Sequence, residues 1–162
     1  MPTAVNQALL AKAIDHVDRD RLVKLTIDLT NIPSPTGHEG DVARALHEIF
    51  QGSGLHSTLQ PIGDERYNTI GRLVGQGGGK SLMFNGHLDT SFGPEQAHRG
   101  IGYRCAGTLV DDEWIYGMGS FNMKSAMATY LCAIDAVQKA GIKLRGDLVI
   151  AGGNSSYTAD QL

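Results

Sequence analysis

The apolar pattern of this chain changes period partway along, and that change most narrows the folds open to it. Up to Phe50 the apolar residues recur at helical spacing. Leu9, Leu10, Ala13, Ile14 and Val17 mark a first helical segment over residues 5–17. Leu22, Val23, Leu25, Ile27 and Leu29 mark a second, opened by Asp18-Arg19-Asp20 and stopped at Ile32-Pro33, because the residue before proline avoids the helical region. Val42, Ala45, Leu46 and Ile49 mark a third, running to Phe50 and ended by Gly52 and Gly54. Beyond His56 the pattern shortens to alternation and brief apolar runs: weak over 56–62, better over 67–74, then a buried strand over 81–86. Asp111-Asp112 marks a turn before the short strand Trp114-Ile115-Tyr116, and a long helix is expected over 122–140, capped by Gly141, before a last buried strand at 147–151. Helices that precede and alternate with apolar strands define an α/β fold, a sheet flanked by helices.

Composition agrees. Glycine fills 21 of 162 positions, about 13% against a usual ~7%, as in the tight turns of α/β enzymes. One domain of this length buries roughly 70% of its unfolded surface. A 41% hydrophobic and 19% charged composition excludes a disordered chain. A net charge of −3 excludes a general electrostatic grip on nucleic acid or an acidic membrane surface. Cys105 and Cys132 are too few for a disulfide scaffold and favour a reducing compartment. With no secretory pattern at the start and no run of 18 apolar residues, the expectation is a cytoplasmic protein in which the Asn154-Ser155-Ser156 sequon is idle.

Three segments carry chemistry. His87-x-Asp89 follows a buried strand, where ligands of α/β sheets bind; a histidine there can hold a metal through one ring nitrogen while a carboxylate fixes its tautomer. Taken alone it is equally a turn histidine beside a capping aspartate. The run Gly117-Met118-Gly119-Ser120-Phe121-Asn122-Met123-Lys124-Ser125 joins two glycines to a helix start, but it lacks phosphate-loop spacing and by itself is also a glycine turn with Asn122 as N-cap. The third segment, after 147–151, places no carboxylate at the strand end.

Taken together with Ile32-Pro33-Ser34-Pro35-Thr36-Gly37-His38-Glu39-Gly40, the runs Asn85-Gly86-His87-Leu88-Asp89-Thr90 and Tyr116 to Ser125 resemble, in order and spacing, the zinc-dependent amidohydrolase and peptidase superfamily. Its members include aminoacylases, glutamate carboxypeptidases, acetylornithine deacetylases and succinyl-diaminopimelate desuccinylases. The resemblance spans about residues 18–152 and implies part of a di-zinc exopeptidase-like catalytic domain without its lid domain: an N-terminal helix at 1–17, the partial domain at 18–153 and a divergent tail at 154–162. It implies His87 as a zinc ligand, Asp89 as the catalytic-site carboxylate that orients it, and Asn122 where the family carries an aspartate bridging both metals. It further implies small amide or peptide substrates, N-acyl amino acids among them.

The sequence departs from that pattern. Asn122 offers one neutral oxygen where two close cations call for an anion. The acidic pair expected near 152–156 is absent. The remaining ligands and the lid are expected beyond residue 162. The chain alone is therefore expected to be inactive, as a truncated or split hydrolase. A natural subunit, a truncated product and a frameshift remain open origins; a shifted frame over 153–159 can read Gly-Glu-Phe-Val-Val-His. The alternative function is a non-catalytic binding or regulatory subunit paired with a second chain. An open sheet edge predicts self-association or such a partner. Of the remaining residues, His16, His47 and His56 are read as surface or helix-face residues, His38 as a helix cap and His98 as a loop residue. Lys124 is read as a surface charge, Trp114 as packing, and Met118, Met123 and Met127 as core or turn filling.

Overall fold

A computed structural model describes residues 6–154. The start of the first helical segment, and the sequon and frame-shift stretch from residue 155 on, lie outside the described residues.

Three helices form within the expected segments, the first shorter than expected, and each has a physical stop. Helix α1 (Gln7–Ile14) is capped by the Asn6 side chain, which accepts from Leu9 N–H. None of its residues is buried, and Ile14 stays 58% exposed, so its apolar spacing does not enter the core. Helix α2 (Arg19–Thr30) is capped by Asp18, whose carboxylate accepts from Arg21 N–H at 3.0 Å, and that bond is the chief cause holding its pKa below the ordinary value. Helix α3 (Gly40–Gly52) buries Val42, Ala43, Leu46 and Phe50.

Strands β1 (His56–Gly63) and β2 (Arg66–Leu73) pair antiparallel. Strand β3 (Leu82–His87) leads into a loop with two short 3-10 turns, and strands β4 (Thr108–Val110) and β5 (Trp114–Tyr116) form a separate hairpin. In the three-residue connection between them, Asp111 and Asp112 both take positive φ, 51° and 57°, and Glu113 N–H donates to Val110 O at 3.1 Å. Helix α4 (Ser125–Lys139) and strand β6 (Leu148–Gly153) follow. The main sheet has order β1-β2-β6-β3, with β6 antiparallel to β2 and parallel to β3.

Helices α2, α3 and α4 join the sheet in a single core containing Leu29, Leu46, Phe50, Leu88, Met127, Leu131, Ile134 and Ile150. Two glycines let the layers close. A Cβ on Gly71 would come within 2.6 Å of the Phe50 ring, and one on Gly152 within 2.9 Å of Leu88. Among the described residues no helix is long and apolar enough to cross a membrane.

Three sequence expectations change. The run at 81–86 is an edge strand rather than a fully buried one. Among the described residues it pairs only with β6, and Leu82 and Met83 are 52% and 59% exposed, while Phe84 stacks on Tyr130 at 4.7 Å. Trp114 does not pack; it stands 61% exposed on the outward face of β5, where only Ile115 is half-buried. The helix expected from 122 begins at Ser125, and Asn122 precedes it in extended geometry (φ −130°, ψ 96°), so Asn122 is not its N-cap.

Candidate active site

The site is built where β3 ends. Strand pairing carries His87 opposite Gly153 at the carboxyl end of two parallel strands. Past it, Leu88 is buried and donates its N–H to Gly153, which fixes the bend. The Ile32–Gly40 turn is stitched alongside: buried Ser34 donates to Leu88 O at 2.8 Å, Thr90 N–H to Ser34 O at 2.7 Å, and Thr36 N–H to Thr90 O at 3.2 Å. Two of the sequence motifs thus form one continuous backbone network.

The third motif arrives through a single π-helical turn, Ser120–Lys124. Gly117 and Gly119 take φ of 147° and 79°, and both are crowded: a Cβ would meet Thr30 at 2.4 Å and Thr90 at 2.7 Å respectively. Only glycine meets both demands. The Asn122–Met123 peptide is cis. Lys124, read from the sequence as a surface charge, is instead 2% exposed, and its Nζ donates to Ile32 O at 2.5 Å. Burial lowers its pKa to about 8. Its ammonium ties the Asn122 turn to the Pro33–Pro35 turn.

These constraints bring the three sequence-selected residues together. His87 Nδ1 lies 2.9 Å from Asp89 O and 3.4 Å from Asp89 Oδ1. Both partners only accept, so Nδ1 carries the proton and donates. In the neutral ring Nε2 is then a lone pair, and it lies 2.9 Å from Asn122 Oδ1. Two acceptors cannot bond. The contact is satisfied when the Asn122 amide turns so that its NH₂ donates to Nε2, or when a second proton sits on the ring. Asp89, 13% exposed, also accepts from Thr36 Oγ1 at 3.0 Å.

Behind them stands a pair the sequence reading missed. Glu39 is fully buried and accepts from Arg66 Nε at 2.8 Å, Arg66 Nη2 at 2.9 Å and Gly37 N–H at 2.9 Å. These hydrogen bonds raise the Arg66 pKa above its ordinary value, and the charge of Asp89 adds to the effect. Glu39 precedes α3 and makes no side-chain cap; His38 is not the cap either. The Thr-Gly-x-Glu spacing was visible in the sequence, but its partner Arg66 lies across a β-turn with no motif of its own.

The donor set falls short of a zinc centre. His87 and Asn122 are two neutral donors, where zinc takes three or four protein ligands. Among the described residues no group of three His, Cys, Asp or Glu side chains could hold a metal.

Residues 83–153 match the profile of Peptidase family M20/M25/M40. The succinyl-diaminopimelate desuccinylase of Dinoroseobacter shibae is 32% identical over 111 residues, 68% of this chain and 28% of that protein. The enzyme of the same name from Cereibacter sphaeroides is 30% identical over 140 residues, 85% of this chain and 36% of that protein. Human carnosine dipeptidase 1 superposes with TM-score 0.74 at 18% identity, over 90% of this chain and 34% of that one. A Staphylococcus aureus tripeptidase superposes with TM-score 0.68 at 19% identity, over 86% and 37%. The chain belongs to the M20 amidohydrolase and peptidase superfamily. It spans about a third of the length of the curated relatives it matches.

Proposed function

We propose that residues 18–153 form part of the catalytic domain of a zinc-dependent hydrolase of linear amides, N-acyl amino acids or small peptides. His87 is one zinc ligand, Asp89 orients it, and Asn122 is a weak ligand. The other ligands lie outside the described residues. The observation that carries this reading is the imidazole with Nδ1 committed to Asp89 and Nε2 2.9 Å from Asn122, a residue from a distant turn. Relatives named desuccinylase, tripeptidase and dipeptidase support amides as the substrate class. The two free thiols support a reducing, cytoplasmic setting.

Asn122 makes the chain inactive by itself. A carboxamide that donates to Nε2 occupies the lone pair a metal needs, and it supplies no negative charge. Asn122→Asp removes the competing donor and adds an anion, so zinc affinity rises by about ten- to a hundredfold, measured by calorimetric titration. His87→Ala in that background abolishes the gain. Equal zinc binding by the wild type and both variants overturns the reading. The same neutral side chain favours a second reading, a non-catalytic subunit whose site binds without hydrolysis. Amide hydrolysis on mixing with a polypeptide carrying the remainder of an M20 enzyme separates the two.

A partner or a second copy is also part of the proposal. The N–H and C=O groups of Met83 and Asn85 point away from β6, along an edge that no described strand covers. Size-exclusion chromatography with light scattering should give a mass above 17.3 kDa; a monomer across the concentration range counts against it.

A further inference from the structure

The turn that carries Asn122 presents its preceding residue to solvent. Phe121 is 93% exposed, the most of any large apolar side chain among the described residues. The backbone on either side of it is fixed. Ser120 is buried and its Oγ donates to Gly117 O at 2.8 Å; Lys124 is buried and donates its N–H to Gly119 O at 2.9 Å. The ring therefore projects from a braced turn.

Beside the ring lies a cleft of about 380 Å³, which the exposed ring borders and does not fill. Leu22 and Val23 of α2 form one wall. Leu109 and Ile115, directly paired across the β4–β5 hairpin, form the other. The two walls are fastened together: Arg19 Nη2 lies 3.1 Å from the Asp112 carboxylate and also donates to Asp112 O. Two exposed side chains of opposite charge, Arg19 and Glu113, complete the lining. Glu113 forms no ion pair among the described residues.

A projecting ring and an open cleft on one face are complementary to themselves under a two-fold rotation, which seats each ring in the other copy's cleft. A phenylalanine carries ~200 Å² of apolar surface to remove from water there. The charges on the lining also complement themselves. The same rotation sets Glu113 of one copy against Arg19 of the other and gives the unpaired carboxylate a cation.

We infer that this face binds a second copy of the chain, as a two-fold dimer in which Phe121 and the cleft between α2 and the hairpin interlock. The contact is separate from the β3 edge and rests on neither metal nor substrate. Because Phe121 is joined to Asn122, the dimer also braces the residue that faces His87.

The test is sedimentation equilibrium of the intact chain, with backbone amide NMR to locate the contact. The mass should rise from 17.3 kDa toward twice that value with concentration, and amide shifts should move with it at residues 19–26 and 109–125. Phe121→Ser should weaken the association by about tenfold or more. Arg19→Glu and Glu113→Arg should each weaken it as well. A one-to-one mixture of those two variants should recover it, because every pair across the axis is then opposite in charge; recovery also shows that both variants fold. A monomer at every concentration, association unchanged by Phe121→Ser, or a mixture that stays dissociated overturns the assignment. Association that survives Phe121→Ser and is lost in Met83→Lys belongs to the β3 edge instead.

Discussion

Glu39→Gln lowers the stability of the chain by about 3–5 kcal/mol, read from urea unfolding at neutral pH. The carboxylate is fully buried and receives three hydrogen bonds, two from Arg66 and one from Gly37 N–H. A glutamine of the same shape keeps one acceptor and must aim its NH₂ at a donor. Arg66, whose side chain is 14% exposed, then loses its buried counter-charge and two hydrogen bonds, and that loss is the larger part of the cost. Substituting both residues by methionine removes the two polar groups together, so the double variant should be less destabilised than the sum of the singles. The effect also reaches the site, because the turn that Glu39 braces supplies Thr36 Oγ1 to Asp89. A loss below about 1 kcal/mol for Glu39→Gln would show that this pair does not hold the turn.

That pair marks where sequence reasoning stops. Period and turn chemistry are local, so they reveal local structure. The Asp111-Asp112 turn was legible because aspartate tolerates the left-handed geometry that both residues take there. His87-x-Asp89 was legible as a strand end because an apolar run stops there and the strand carries it to the sheet's carboxyl edge. That both would meet Asn122 came from resemblance, not from period. Nothing local sets the order β1-β2-β6-β3, in which a strand from the end of the described chain inserts between two earlier ones. That insertion leaves β3 at an edge and so exposes Leu82 and Met83, which an apolar run alone had suggested were buried. Trp114 shows the converse: its size suggests core, but alternation along β5 turns it outward while Ile115 is half-buried. Arg66 and Lys124 owe their burial to partners 27 and 92 residues away in sequence, Glu39 and Ile32.

Lys124 gives the chain an unusual dependence on pH. Its side chain is buried beneath the Asn122 turn, and loss of solvation, its dominant influence, lowers its pKa from 10.5 to about 8. In the unfolded chain the amine keeps its ordinary value, so between pH 8 and 10.5 the unfolded state holds a proton that the folded state has released. Stability from this group therefore rises with pH across that window and is flat below it. The full gap corresponds to about 3 kcal/mol. The two thiols act in the opposite direction: burial raises the pKa of Cys105 and Cys132, so their ionisation in the unfolded chain erodes stability over an overlapping range. Comparison with Lys124→Met isolates the lysine, since both proteins keep the thiols. Below pH 8 the wild type carries the cost of a buried charge, partly offset by the bond to Ile32 O that methionine forfeits. Raising the pH from 7 to 10.5 should shift the stability difference toward the wild type by up to about 3 kcal/mol, measured by urea unfolding at each pH. A difference that stays constant over that range would mean that Lys124 keeps its proton in the fold, with its ammonium solvated by a route other than the Ile32 carbonyl.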